Sequence, residues 1–101
     1  MKRTWEHVIV LDTLVLSPEV VVRMPRNAVI LSVGVQPTMQ FSENVVVWEM
    51  HDQEDEVERQ DRKLLVLMTG QDFNVYGAMN FIGTVILRHG TFVLHVFEVM
   101  A

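Results

Sequence analysis

The chain has 101 residues, no cysteine and a formal net charge of −5 at pH 7. This length predicts one domain with one core, and the missing cysteine excludes disulfides, thiolate nucleophiles and Cys-based metal sites. Because Glu6, His7 and Asp12 interrupt the N-terminal apolar run, and no later run approaches the roughly 18 residues of a membrane span, neither a signal peptide nor a membrane helix is expected. The cytoplasm is the expected location.

Patterns typical of β-strands follow one another along most of the chain. Runs rich in β-branched and aromatic residues are separated by short turn-forming stretches, without a linker or an internal repeat. The sequence therefore predicts an all-β protein, a single small antiparallel barrel or sandwich that spans residues 1–101. The seven predicted strands cover residues 5–11, 19–25, 28–36, 44–50, 62–70, 81–88 and 91–99.

The third predicted strand, residues 28–36, alternates between two sets of side chains. Successive residues of a strand point to opposite faces, so one face is predicted to carry Val29, Leu31, Val33 and Val35. The opposite face is predicted to carry a smaller set, Ala28, Ile30, Ser32 and Gly34. Such a face predicts the close approach of another element.

Most of the negative charge lies in one acidic segment, residues 49–61, which reads EMHDQEDEVERQD. Seven acidic residues stand against a single Arg59, so the segment carries −7 + 1 = −6 and the rest of the chain −5 + 6 = +1. This asymmetry argues against a nucleic-acid-binding surface, which requires clustered Lys and Arg. It leaves room for a protein partner that is itself basic.

The acidic segment is compatible with a short helical turn or with a strand-to-strand loop. Asp55 precedes Arg59, and Glu58 precedes Arg62, by the four residues that favour ion pairs on a helix. Only three apolar residues recur at a spacing of seven, which is too few to bury a helix firmly. Both conformations stay open from the sequence alone.

The last two predicted strands flank His89 and Gly90, a pair typical of a two-residue hairpin turn. Both faces of the final strand are apolar, which predicts a central strand that is covered on both sides or buried in an oligomer contact. Half of all residues are hydrophobic, more than a monomer with one-sided sheets readily hides. A homodimer is therefore predicted.

No motif predicts catalysis, a cofactor or a metal. The serines and threonines lack a nucleophile-elbow context, and the glycines are too scattered for a phosphate-binding loop. His89 and His95 have the same strand parity, but Glu98 has the opposite parity, so these three do not predict a metal site. His95 is expected to be partly buried against a carbonyl or hydroxyl group, and His7 and His51 are expected to be solvated. The protein is predicted not to be an enzyme.

Four segments carry a family resemblance: MPRNAVILSVGVQ at 24–36, MTG at 68–70, FIGTV at 81–85 and GTFVLHVFE at 90–98. They resemble the corresponding parts of a family of short all-β proteins of unknown function that phages and prophages encode. The C-terminal IGT…HVFE hairpin is the most specific motif, and the acidic segment departs from the family pattern in length and charge. The resemblance implies a phage setting and a small accessory protein, and it transfers no catalytic residue.

Two principal functions are compatible with these features. In the first, the protein binds a host protein stoichiometrically in the bacterial cytoplasm and inhibits an antiviral complex of the CRISPR type, with the acidic segment steering association. In the second, a cavity binds a small molecule such as a signalling nucleotide, which would require dispersed basic residues to converge on it. A minor virion or assembly component is a third possibility. The predicted partner-binding residues are Asp52, Glu54, Asp55, Glu56, Glu58, Asp61 and Trp48.

Overall fold

The computed structural model describes residues 1–11, 17–38, 43–74, 77–87 and 92–100. It confirms an all-β fold, because seven strands in two antiparallel sheets account for most of these residues. The strands are β1 (Lys2–Val8), β2 (Glu19–Pro25), β3 (Val29–Pro37), β4 (Glu43–Asp52), β5 (Arg59–Met68), β6 (Ala78–Leu87) and β7 (Phe92–Met100).

The strands form a three-stranded sheet, in the order β1-β4-β3, and a four-stranded sheet, in the order β2-β5-β7-β6. In the described part of the chain the two sheets do not close into a barrel, and side chains from both contribute to one core, as in a sandwich. The sheets approach closely where β3 packs beside β6, since a Cβ added to Gly83 would lie 3.0 Å from Val33 Cγ1. The buried core consists of Ile9, Val20, Val22, Met24, Ala28, Val45, Val47, Leu64, Val66, Val85, Leu87, Leu94 and Val96.

The acidic segment contains a short helical turn, one of the two conformations that the sequence left open. Strand β4 continues to Asp52, a 3₁₀ turn covers Gln53–Asp55, and β5 begins at Arg59. The helical ion pairs that the spacing favoured are absent, because Glu58 binds Arg26 and Arg62 binds Glu98. None of the helical structure in the described ranges is long or apolar enough to cross a membrane.

The C-terminal hairpin pairing is confirmed. Strands β6 and β7 are antiparallel with Leu87 opposite Phe92, the register that a two-residue loop at His89 and Gly90 requires. The turn itself lies outside the described residues. Strand β7 is central, as predicted, but only its inner face is fully covered: Leu94 is buried, whereas the side chains of the outer face are half-buried.

A β-bulge overturns the predicted faces of the third strand. The pairing of β3 with β4 shifts register between Ile30 and Ser32, which places an extra residue at Leu31. The alternation therefore reverses, so that Ile30 and Val33 both pack against the core, whereas Val29 and Leu31 are about half exposed. Strict alternation from the sequence could not anticipate an inserted residue.

Replacing Phe92 by Ala is expected to lower the free energy of unfolding by about 1 kcal/mol, well below the cost of deleting a fully buried ring. The reason is that Phe92 is 40% exposed. Leu64→Ala, at a position with 0% exposure, should cost about 2–5 kcal/mol. Urea denaturation measures both values, and equal losses for the two variants would contradict the central position of β5 in the core.

Candidate functional site

An aromatic side chain and acidic side chains share the outer face of the three-stranded sheet. Glu6 on β1 lies opposite Trp48 on β4, and Lys2 lies opposite Asp52. Residues opposite one another in an antiparallel pair point to the same face, and β4 residues of even number face away from the core. We call Lys2, Thr4, Glu6, Gly34, Trp48 and Asp52 the Trp48 face.

Gly34 on β3 holds the tryptophan ring of the Trp48 face close to the sheet. A Cβ added to Gly34 would lie only 2.6 Å from Trp48 Cζ3 and 2.9 Å from Cη2. Any other residue at position 34 would therefore push the ring away. The close approach predicted for the small-residue face of this strand is thus real, and the approaching group is a side chain of the neighbouring strand.

The carboxylates predicted to bind a partner are largely paired with basic side chains of the same chain. Asp52 binds Lys2 at 3.1 Å, and Glu56 binds Arg3 at 2.8 Å. Arg26 binds Asp55 at 2.7 Å and Glu58 at 2.5 Å. When Lys2, Arg3 and Arg26 are counted with the acidic segment, its net negative charge shrinks from −6 to −6 + 3 = −3.

Two of the predicted residues differ from the rest. Glu54 on the turn and Asp61 on β5 are exposed and form no ion pair with any described residue. Their charge is therefore the part of the segment that solvent and a partner meet directly. Asp61 lies opposite Arg23 in the strand register, while Trp48 is on the other sheet.

A chain of hydrogen bonds runs inward from the acidic turn to a buried glutamate. Glu49 is 0% exposed. Its Oε2 bonds His7 Nε2 at 3.0 Å, and its Oε1 bonds His51 Nδ1 at 2.6 Å. His51 Nε2 bonds Glu56 Oε1 at 3.1 Å, so the chain ends at the turn.

The prediction that His7 and His51 are solvated is wrong. Strand β4 extends through position 52, so Glu49 and His51 continue the inward face that Val45 and Val47 begin. A polar group forced inward needs a partner, and Glu49 supplies one for both rings. The alternation of residues 45, 47, 49 and 51 was the sequence signal, hidden by the assumption that the strand ends at 50.

His51 is held in its charged form by this geometry. Both of its ring nitrogens meet carboxylates, and a ring nitrogen bonds a carboxylate only by donating an N–H. The hydrogen bond to Glu49, reinforced by Glu56, raises the pKa of His51 above 6.5, although burial opposes this. With His51 protonated, the charge of the acidic segment, counted with Lys2, Arg3 and Arg26, becomes −3 + 1 = −2.

We expect His51 to make its full contribution to the free energy of unfolding below about pH 6.5. This contribution should be lost as the pH rises through the pKa of His51 in the folded protein. The folded protein binds this proton more tightly than the unfolded chain, so removing the proton costs stability. Urea unfolding across neutral and mildly alkaline pH measures the effect. His51→Gln should flatten the curve, whereas His95→Gln should retain it.

His95, the third histidine in the described ranges, forms hydrogen bonds with uncharged groups. His95 bonds the hydroxyls of Thr69 at 2.8 Å and Thr84 at 2.9 Å, as expected for a partly buried histidine. Glu98 lies on the opposite face of β7 and binds Arg62, and His89 is outside the described residues. Within the described ranges no three His, Asp or Glu side chains are arranged to hold a metal ion.

Basic side chains do not converge on a cavity among the described residues. Arg62 is held by Glu98 and by the carbonyl of Ala28, and Lys63 lies 3.8 Å from Glu19. Arg26 is bound to the acidic turn, and Arg88 lies outside the described residues. The convergence that a signalling nucleotide would require is therefore not found in this part of the chain.

The outer face of the four-stranded sheet exposes apolar side chains. Phe81 and Ile86 on β6 are each 59% exposed. The ring of Phe81 lies 5.3 Å from that of Phe97 on β7, with Val93 and Val99 on the same face. We call these five residues the Phe81 face.

Fold and surfaces together define a small β-sandwich protein with an acidic, aromatic face on one sheet and an apolar face on the other. The chain belongs to the family described as a domain of unknown function, DUF7352, whose model matches residues 5–101. Comparison with curated proteins and with solved structures found no match.

Proposed function

We propose that this protein acts by stoichiometric binding to another protein whose surface is basic, and that it is not an enzyme. The observation that supports this most directly is the Trp48 face, where a tryptophan lies opposite Glu6, whose carboxylate forms no ion pair with any described residue, with Asp52 farther along the tryptophan's strand. Tryptophan is enriched among residues that hold most of the energy of an interface. Carboxylates around it favour a partner of opposite charge.

The acidic turn adjoins this face and adds to its field. Because Arg3 and Arg26 neutralise part of the turn, the steering charge is smaller than the sequence alone suggests. The negative charge that is exposed to solvent without an ion pair to a described residue comes chiefly from Glu54 and Asp61. Exposed charges of this kind raise the association rate and are screened within about 8–10 Å at physiological salt.

The biological setting of the proposal rests on the family resemblance to phage-encoded proteins. In that setting the partner is a host protein, met in the cytoplasm of the infected bacterium. A host antiviral complex of the CRISPR type presents a basic channel for nucleic acid, which an acidic protein surface can occupy. We therefore propose inhibition of such a complex.

The biological test is a plaque assay. A bacterium whose CRISPR system targets a sensitive phage is made to express this protein or its Glu54→Gln/Asp61→Asn variant. The proposal expects efficiency of plaquing to rise with the unaltered protein and to rise less with the variant. No rise with any CRISPR type tried, at confirmed expression, contradicts the proposed inhibition.

The binding test uses the partner that co-purifies from that host at a fixed ratio. Glu54→Gln/Asp61→Asn should slow association several-fold at low salt and flatten its salt dependence, because it removes exposed steering charge. Asp72→Asn is the control, since Asp72 is also exposed but lies in the loop after β5, beyond the strand end opposite to Asp61. Equal effects of both variants would contradict a role for the acidic turn.

We also propose that two copies associate through the Phe81 face. The exposed Phe81 and Ile86 form, with the half-buried Phe97, an apolar surface of the kind that marks contact sites. Light scattering at micromolar concentration should give twice 11.7 kDa. Ile86→Lys should return the mass to that of one chain, and a single-chain mass for the unaltered protein contradicts the dimer.

A further inference from the structure

A cleft on the Trp48 face has the chemistry of a binding site for a cation. It measures about 280 Å³ and is lined by Thr4, Trp5, Glu6 and Trp48. A site for a whole organic ligand or cofactor usually encloses roughly 300–1,000 Å³. This open cleft lies just below that range, and it has room for one side chain of a partner.

The charge of the cleft comes from a carboxylate that the protein itself leaves available. Glu6 is exposed and forms no ion pair with any other described residue. Asp52, on the same face, differs because Lys2 already binds it at 3.1 Å. Glu6 is thus the acidic group of this face that a partner's cation can reach without displacing an internal ion pair.

Strand β3, which lies beside β4, fixes the position of the Trp48 ring. Glu6 lies opposite Trp48 across the β1–β4 pair, and side chains opposite one another have Cβ atoms about 4.5–5.5 Å apart. The far end of the indole lies over Gly34 on β3, on the other side of β4 from Glu6, so the near side of the ring faces the cleft. Because Glu6 and Trp48 both line the cleft, a cation held there by Glu6 meets that near side, and an indole ring attracts a cation within roughly 6 Å of its centroid.

We propose that this cleft receives an arginine side chain of the protein partner. A guanidinium is planar, stacks on aromatic rings, bonds a carboxylate with two N–H groups and is more weakly hydrated than an ammonium. Glu6 would accept the two N–H groups, and Trp48 would contact the plane of the guanidinium. This inference rests on the proposed function and names the group of the basic partner that the Trp48 face recognises.

The test uses N-acetylarginine amide as the probe and the two indole N–H signals in NMR spectra of the full chain. Saturable shifts of the Trp48 signal are expected with a millimolar Kd, because a single exposed cation contact is weak. N-acetylcitrulline amide has the same planar shape without the charge and should bind more weakly. Equal shifts with both probes, or no saturable shift with the arginine probe, would overturn the proposal.

Matched variants assign the effect to the cleft. Glu6→Gln should weaken binding of the arginine probe by about two- to fivefold, whereas Asp72→Asn, at an exposed acid outside the cleft, should leave it unchanged. Gly34→Ala should shift the Trp48 signal in the absence of the probe, because the added Cβ displaces the ring, and this shift assigns the signal to Trp48. An unchanged Kd in Glu6→Gln would overturn the proposal.

The outcome is separable from that of the proposed function. If the arginine probe fails to bind but Glu54→Gln/Asp61→Asn still slows association with the partner, the arginine cleft is wrong and the binding function stands. If the probe binds with the expected variant pattern but no host protein co-purifies and plaquing is unchanged, the cleft stands and the host-inhibition proposal falls.

Discussion

Replacing Glu49 by Leu is expected to lower the free energy of unfolding by about 3–5 kcal/mol. The substitution leaves His51 buried with one N–H donor unpaired and removes the acceptor that His7 uses. It also removes the side-chain link between β1 and β4, since Glu49 joins His7 to His51, while the bond of His51 to Glu56 remains. Urea unfolding at or below pH 6.5, where the raised pKa of His51 favours its protonated form in the folded protein, measures the loss.

Glu49→Gln separates charge from shape at the same position. The amide oxygen can accept the N–H of His51. The amide N–H can donate to Nε2 of His7 in the tautomer that carries its proton on Nδ1, so every polar group keeps a partner. We expect a smaller loss, of about 1–3 kcal/mol. Glu54→Leu is the exposed control and should stay within about 0.5 kcal/mol of the unaltered protein. A Glu49→Leu variant as stable as this control would contradict the buried network.

The pair formed by Arg62 and Glu98 is expected to show the second large effect. Their side chains are 16% and 10% exposed, and the guanidinium reaches both carboxylate oxygens, at 2.5 and 2.9 Å. Arg62→Met or Glu98→Leu alone should each cost about 3–5 kcal/mol, because each leaves one charge buried without its partner. Together they should cost only about 1–3 kcal/mol, since the carbonyl of Ala28 is then the polar group left unpaired.

A control for this cycle lies on the same strand. Lys63 and Glu19 are 3.8 Å apart with side chains 50% and 34% exposed, so Lys63→Met should change stability by less than about 1 kcal/mol. If the double variant at positions 62 and 98 loses the sum of the two single losses, the residues are not coupled. That result would contradict the buried ion pair.

Local sequence patterns were enough to predict the all-β class and the order of the seven strands, although the ends of β1, β4, β5 and β6 differ by two or three residues. Alternating and continuous apolar runs specify where a chain can lie in a sheet, so the predicted strand at residues 19–25 coincides with β2. The hairpin register follows from the two residues between the last two runs, and Leu87 does lie opposite Phe92. Local signals sufficed because backbone geometry and side-chain period are properties of neighbouring residues.

Contacts between side chains of different strands could not be predicted from these patterns. The bulge at Leu31 reversed the faces of β3. The extension of β4 beyond residue 50 placed His51 on the inward face, where it bonds Glu49. The acidic segment looked uniform in sequence, yet Arg3 on β1 and Arg26 just after β2 reach it and leave chiefly Glu54 and Asp61 without an ion pair to a described residue. Pairing between residues far apart in the chain depends on strand order and on the packing of two sheets, and no local pattern encodes those distances.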